Sequence, residues 1–221
     1  MKPLAIYWLI IAVVFVCIMI YQWWQSKKAT KETVDIYENK RKKELKYLFE
    51  NWEKRENQNI ADESEFWELI STTKERSKGN YKNQLGLLKD KFNTMSEDEI
   101  LELDNLLFEL YKKGYNWELF GVSSIIHKDR NSNHLFHLIS WIISRGESFY
   151  FDSLINVNLI LKEEFVGMDD QLITDVLAES YYHKTKKLIP ESNTDDFQLN
   201  GEEWSNNELP KRFPKIWDKY A

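Results

Sequence analysis

Ser96-Glu97-Asp98-Glu99-Ile100-Leu101-Glu102-Leu103-Asp104-Asn105-Leu106-Leu107-Phe108-Glu109-Leu110-Tyr111-Lys112-Lys113-Gly114 carries every local signal of an amphipathic helix. Ser96 stands three residues before Glu99, the spacing of a capping box, and Glu97, Asp98 and Glu99 complement the positive end of the helix dipole. Ile100, Leu103, Leu106, Leu107, Leu110 and Tyr111 recur at helical spacing and make one buried face. Lys112 and Lys113 suit the negative end, and Gly114 is a C-cap. The same period runs on both sides of this stretch, so the reading is all-α.

Downstream, Asn116 opens a helix with Trp117, Leu119, Phe120, Val122, Ile125 and Ile126, closed by the polar run His127 to Asn133. Asn131, Ser132 or Asn133 can cap the next helix, whose Leu135, Phe136, Leu138, Ile139, Trp141, Ile142 and Ile143 leave little polar face. It is the expected centre of the core, and Gly146 stops it. Residues 147–166 are less regular. Asp169 to about Lys184 is again amphipathic, Pro190 to Leu209 reads as a polar loop, and Phe213, Ile216 and Trp217 are expected to dock back. Upstream, Ser64 is a candidate N-cap for a helix through Phe66, Trp67, Leu69 and Ile70, broken at Gly79 and resumed from Tyr81 to Asn93.

The N-terminus is of a different kind. From Leu4 to Tyr21 there is no charge, Gly or Pro, and Trp23 and Trp24 follow the single polar Gln22. At about 1.5 Å per residue such a helix reaches roughly 30 Å, the hydrocarbon thickness of a bilayer, with Tyr7, Trp8, Tyr21, Trp23 and Trp24 at headgroup depth. A cleaved signal would end in small residues rather than Gln-Trp-Trp-Gln-Ser. Lys27, Lys28 and Lys31 follow the span against Lys2 before it, which puts the remainder in the cytoplasm. The expected organisation is a transmembrane anchor over 1–25, a charged juxtamembrane helix over 26–61 and a compact multi-helix domain over 62–221. The middle part is expected to be a spacer helix docked by Leu45, Leu48, Phe49 and Trp52, or else a stalk that pairs with a second copy or lies on lipid.

Charge narrows the partners. Residues 27–55 carry a net +4 and residues 56–221 a net −11, so a basic segment lies next to the lipid and the domain is acidic. That balance excludes nucleic acid, which needs a cationic face, and leaves membrane lipid through residues 4–24 and a protein partner. The lone Cys17 falls inside the span, so no disulfide staples the domain.

Catalytic signatures are missing: there is no phosphate-binding glycine loop, no Gly-x-Ser-x-Gly, no His-Glu-x-x-His and no Cys-x-x-Cys. His134 and His137 share one helix with His127 and Asp129 just before it, but no Glu-x-x-His pattern accompanies them, so neither a metal nor another cofactor is expected. Glu163 with Glu164, and Asp169 with Asp170, read as exposed faces and caps. The candidate binding residues are Trp117, His134, His137, Trp141 and Arg145, grouped in a polar cleft where Asn131 to His137 would meet Trp117 and Arg145.

Five pieces in order, Phe66-Trp67-Glu68-Leu69-Ile70, Leu85 to Leu88, Met95 to Ile100, Gly114-Tyr115-Asn116-Trp117-Glu118-Leu119-Phe120-Gly121 and Ser140-Trp141-Ile142-Ile143-Ser144-Arg145-Gly146, resemble the bacterial DUF4240 family of uncharacterised proteins over about residues 64–185. The resemblance implies an all-helical domain and no established activity. Family members carry a Gly-Gly-Cys-Ser-Asp-Asp-like run before the central helix and an Arg just before its Trp. Here Arg130-Asn131-Ser132-Asn133 and Ile139 stand in those places, which weakens an enzyme reading. The expected function is therefore a membrane-anchored cytoplasmic scaffold or adaptor at a bacterial inner membrane. An enzyme or small-ligand sensor using the cleft at 131–145, and an acidic immunity protein binding a basic toxin, are the alternatives.

Overall fold

A computed structural model describes residues 60–163, 165, 171–190 and 197–221. The apolar run 4–24, the basic segment up to residue 59 and the pairs Glu164 and Asp169-Asp170 lie outside the described residues. Among those described, no helix is long and apolar enough to cross a membrane, and there are helices but no strand, only an isolated bridge between Asn116 and Asn200.

The helices are α1 (Glu63–Arg76), α2 (Tyr81–Phe92), α3 (Glu97–Gly114), α4 (Trp117–His127), α5 (Ser132–Ser144), α6 (Glu147–Ile155), α7 (Ile173–Thr185), α8 (Leu209–Arg212) and α9 (Pro214–Tyr220). A 3-10 turn covers Val157–Lys162 and another Asn206–Glu208. Their ends follow the sequence signals closely. Ser96 and Glu99 form the reciprocal capping box of α3, and Asn116, Asn131 and Asn80 cap α4, α5 and α2. The start of α1 differs from expectation: the cap is Asp62, whose carboxylate accepts from the Ser64 and Glu65 amides at 2.8 and 3.1 Å. A carboxylate accepts these donors better than the Ser64 hydroxyl and also complements the dipole. Helix α7 opens only at Ile173, where Asp175 takes the Leu172 amide at 2.9 Å.

Helix α5 is the hub. It packs against α1, α2, α3, α4 and α6, and Leu135, Leu138, Ile139, Ile142 and Ile143 have no exposed surface. Each such side chain contributes about 1.5–3 kcal/mol of transfer free energy, which is why a helix without a polar face ends in the middle. Gly146 then reverses the chain at φ 105°, a conformation that L side chains rarely adopt, and sends α6 back along the bundle.

The segment after residue 197 is more than a polar loop. Trp204, Leu209, Phe213 and Ile216 are buried, and α9 lies on α4. Gly121 makes this seat: a Cβ there would run into the Phe213 ring. Trp217, expected to dock with Phe213 and Ile216, stays 36% exposed.

Candidate functional site

The buried end of α5 is filled by a charge. Arg145 follows Ser144 at the C-terminus of α5, and its side chain is only 4% exposed. Its Nε donates to Ser144 Oγ at 3.0 Å, Nη1 to the Gly79 carbonyl at 2.7 Å and to Glu163 at 3.4 Å, and Nη2 to Gln84 Oε1 at 3.1 Å and Ser144 Oγ at 2.9 Å. A guanidinium has five N–H donors, and all are engaged. Gln84, a polar residue on the buried stripe of α2, turns its amide onto the carbonyls of Ile70 and Ser144 at 3.2 and 3.0 Å. Lys74 closes the set from α1, donating to the Arg145 carbonyl and to Glu163, both at 3.0 Å. Burial pulls the Arg145 pKa below the ordinary guanidinium value, with Glu163 opposing. The node joins α1, α2, α5 and the 3-10 turn, and its hydrogen bonds are spent on the fold.

Outside Arg145 runs an open trough of about 830 Å³ between α1 and α6. Trp67, Phe149 and Phe151 supply rings, and Glu63, Glu68 and Glu147 supply carboxylates. The Trp67 indole is tethered to Glu63 at 3.4 Å.

The other end of α5 holds the histidines. His134 Nδ1 meets Asp129 at 2.6 Å, and the rings of His127 and His134 are 4.7 Å apart. Burial lowers the His127 pKa to about 4, aided by His134 and His137 and opposed by Asp129. Its Nε2 is buried without a hydrogen bond. Among the described residues no group of three His, Cys, Asp or Glu side chains could hold a metal ion.

The five residues singled out from sequence therefore fall in three places. His134 and His137 stand at the start of α5, Trp141 and Arg145 at its end, and Trp117 on α4 against Trp204, with ring centroids 5.5 Å apart. Trp141 is buried, with the Arg145 guanidinium 5.5 Å from its ring. His134 and Arg145 are eleven positions apart, roughly 16 Å along the axis, so they stand at opposite ends of α5. Ile139, where an Arg was looked for, is fully buried against Gly114.

Sequence reasoning missed a second polar position on a core stripe. Asp104, Phe108 and Tyr111 stand at i, i+4 and i+7 on one face of α3, and with Phe136, Thr174 and Phe197 they line a recess of about 170 Å³. Burial raises the Asp104 pKa to about 6. A carboxylate inside an otherwise apolar stripe was the available signal.

The described part is thus a small all-helical domain built round one buried helix, with Arg145 and Arg212 paired in seams between neighbours. The chain belongs to the DUF4240 family, a protein family of unknown function, whose match covers residues 61–183, more than half of its length. No curated protein and no solved structure matches the chain.

Proposed function

We propose that the chain is a protein-interaction domain held at the cytoplasmic face of a membrane by residues 4–24, and that the trough between α1 and α6 receives a basic, apolar segment of a partner protein. The observation that carries this is the composition of the trough: Trp67, Phe149 and Phe151 beside Glu63, Glu68 and Glu147. Aromatic rings anchor partner side chains, and carboxylates round them favour cationic partners and speed their encounter. Arg145, the one guanidinium lining the trough, is fully occupied by Ser144, Gly79, Gln84 and Glu163, so it contributes rigidity rather than chemistry. The tether rests on the uncharged run from Leu4 to Tyr21 and on the three lysines after it.

The test uses the full chain in cells. With a photo-crosslinking residue at Phe149, a discrete adduct is expected that disappears in the Glu63→Lys, Glu147→Lys double variant and is absent when the crosslinker replaces the 81% exposed Leu188. Carbonate-washed membranes should retain the chain and lose it on removal of residues 1–25. Equal labelling from both positions, or a chain found in the soluble fraction, sinks the reading.

A further inference from the structure

The recess on the far face of α3 combines features that a purely structural cavity does not need. Three of its residues come from one helix face, Asp104, Phe108 and Tyr111; Phe136 comes from α5, Thr174 from the first turn of α7 and Phe197 from the segment beyond. The rings form a connected set. Phe197 stands edge-on to Phe108 at 4.9 Å and to Phe136 at 5.3 Å, and Phe136 lies 5.9 Å from Tyr111. Faces and edges of four rings thus border one space.

One polar group points to an occupant. The Tyr111 hydroxyl, 3% exposed, makes no hydrogen bond of ordinary length but lies beside the Ser140 and Thr174 hydroxyls. Asp104, half-buried, has no hydrogen bond or ion pair among the described residues. A carboxylate set among rings without a partner is costly. Elsewhere in this domain buried charges are matched: Arg145 makes five hydrogen bonds to four acceptors, and Arg212 meets Glu118 at 2.6 Å. The exception therefore asks for a missing counter-charge.

Ring faces present negative electrostatic potential, and several rings with one acid make a receptor for an alkylated ammonium group, which presents spread positive charge on an apolar surface. The space holds about six waters, taking roughly 30 Å³ for each, which suits a head group of five or six heavy atoms and excludes a drug-sized ligand. We infer that the Asp104, Phe108, Tyr111, Phe136 and Phe197 recess binds a small free quaternary ammonium solute of the choline type, with its head group among the rings and Asp104 as counter-ion.

Titration of the full chain in a maltoside detergent, followed by saturation-transfer NMR, tests this with choline chloride as the probe. Saturable choline binding is expected. The neutral isostere 3,3-dimethylbutan-1-ol should bind at least tenfold more weakly, and sodium chloride at equal ionic strength should not compete. Asp104→Asn should weaken choline binding tenfold or more without lowering the melting temperature, and Phe136→Leu, which keeps the site apolar, should do so through loss of a ring. Equal binding of the neutral isostere, unchanged binding by Asp104→Asn, or no choline binding at all overturns the inference. Binding of a trimethyllysine peptide in place of choline overturns it too, since the receptor would then be one for protein side chains. This result is independent of the trough between α1 and α6.

Discussion

The guanidinium of Arg145 and the carboxylate of Asp104 are both charges drawn largely out of water, and the fold treats them in opposite ways. Arg145 makes five hydrogen bonds to four acceptors from three parts of the chain. Asp104 is given aromatic neighbours and no partner among the described residues. A matched buried charge costs little net free energy and fixes how its neighbours sit, whereas an unmatched one is a standing cost. The first arrangement belongs to architecture. The second is where the proposed ammonium solute would supply the counter-charge.

The contrast can be broken most sharply at Arg145. Arg145→Met should lose about 3–5 kcal/mol, the cost of stranding the partners of a buried charge, read from the urea midpoint at constant m-value. A loss below 1 kcal/mol would show that Gln84, Ser144 and Glu163 rearrange freely and that the node is not structural.

Asp104→Asn should move the other way. The unfolded carboxyl titrates near 3.8 and the folded one at about 6, so the folded state holds the proton more tightly. The stability contributed by the neutral acid is fully present below pH 3.8 and is lost as pH rises through about 6. The amide cannot ionise, so the variant should gain up to about 3 kcal/mol at pH 7–8, at about 1.4 kcal/mol per pKa unit, less whatever solvent screens at this half-buried carboxyl, and nothing below pH 4. Denaturation at those two pH values decides it; an equal effect at both would remove ionisation as the cause.

A gentler comparison uses two tyrosines. Tyr150 is fully buried and donates to the Leu110 carbonyl at 2.6 Å, so Tyr150→Phe should cost about 1–1.5 kcal/mol. Tyr111→Phe removes a hydroxyl that lies beside Ser140 and Thr174 without a hydrogen bond of ordinary length, and should cost less than about 1 kcal/mol. If both cost the same, Ser140 or Thr174 holds the Tyr111 hydroxyl as firmly as the Leu110 carbonyl holds that of Tyr150. The last case is His127, half-buried with a pKa of about 4. Its neutral form contributes stability above pH 6.5 that is lost as pH falls towards 4, opposite in slope to Asp104. The Asp104→Asn variant should therefore show a clearer acid loss between pH 6.5 and 4, which His127→Asn then flattens.

Helix order, the caps at Ser96, Asn116 and Asn131, and the burial of α5 were all legible in the chain, because period and capping act within a few residues of one another. Membership of DUF4240 was legible for the same reason, in five short core pieces. The apolar run 4–24 and the basic segment behind it also stand out in the sequence, through an absence of charge and a cluster of lysines. What could not be read was which polar residues meet. Gln84 and Asp104 both interrupt apolar stripes and look alike in one dimension. Gln84 is met by Arg145 from 61 positions away, and Asp104 by rings from α5 and from Phe197. Whether a buried polar group becomes part of the frame or is left open for a ligand depends on long-range partners, and no local pattern encodes them.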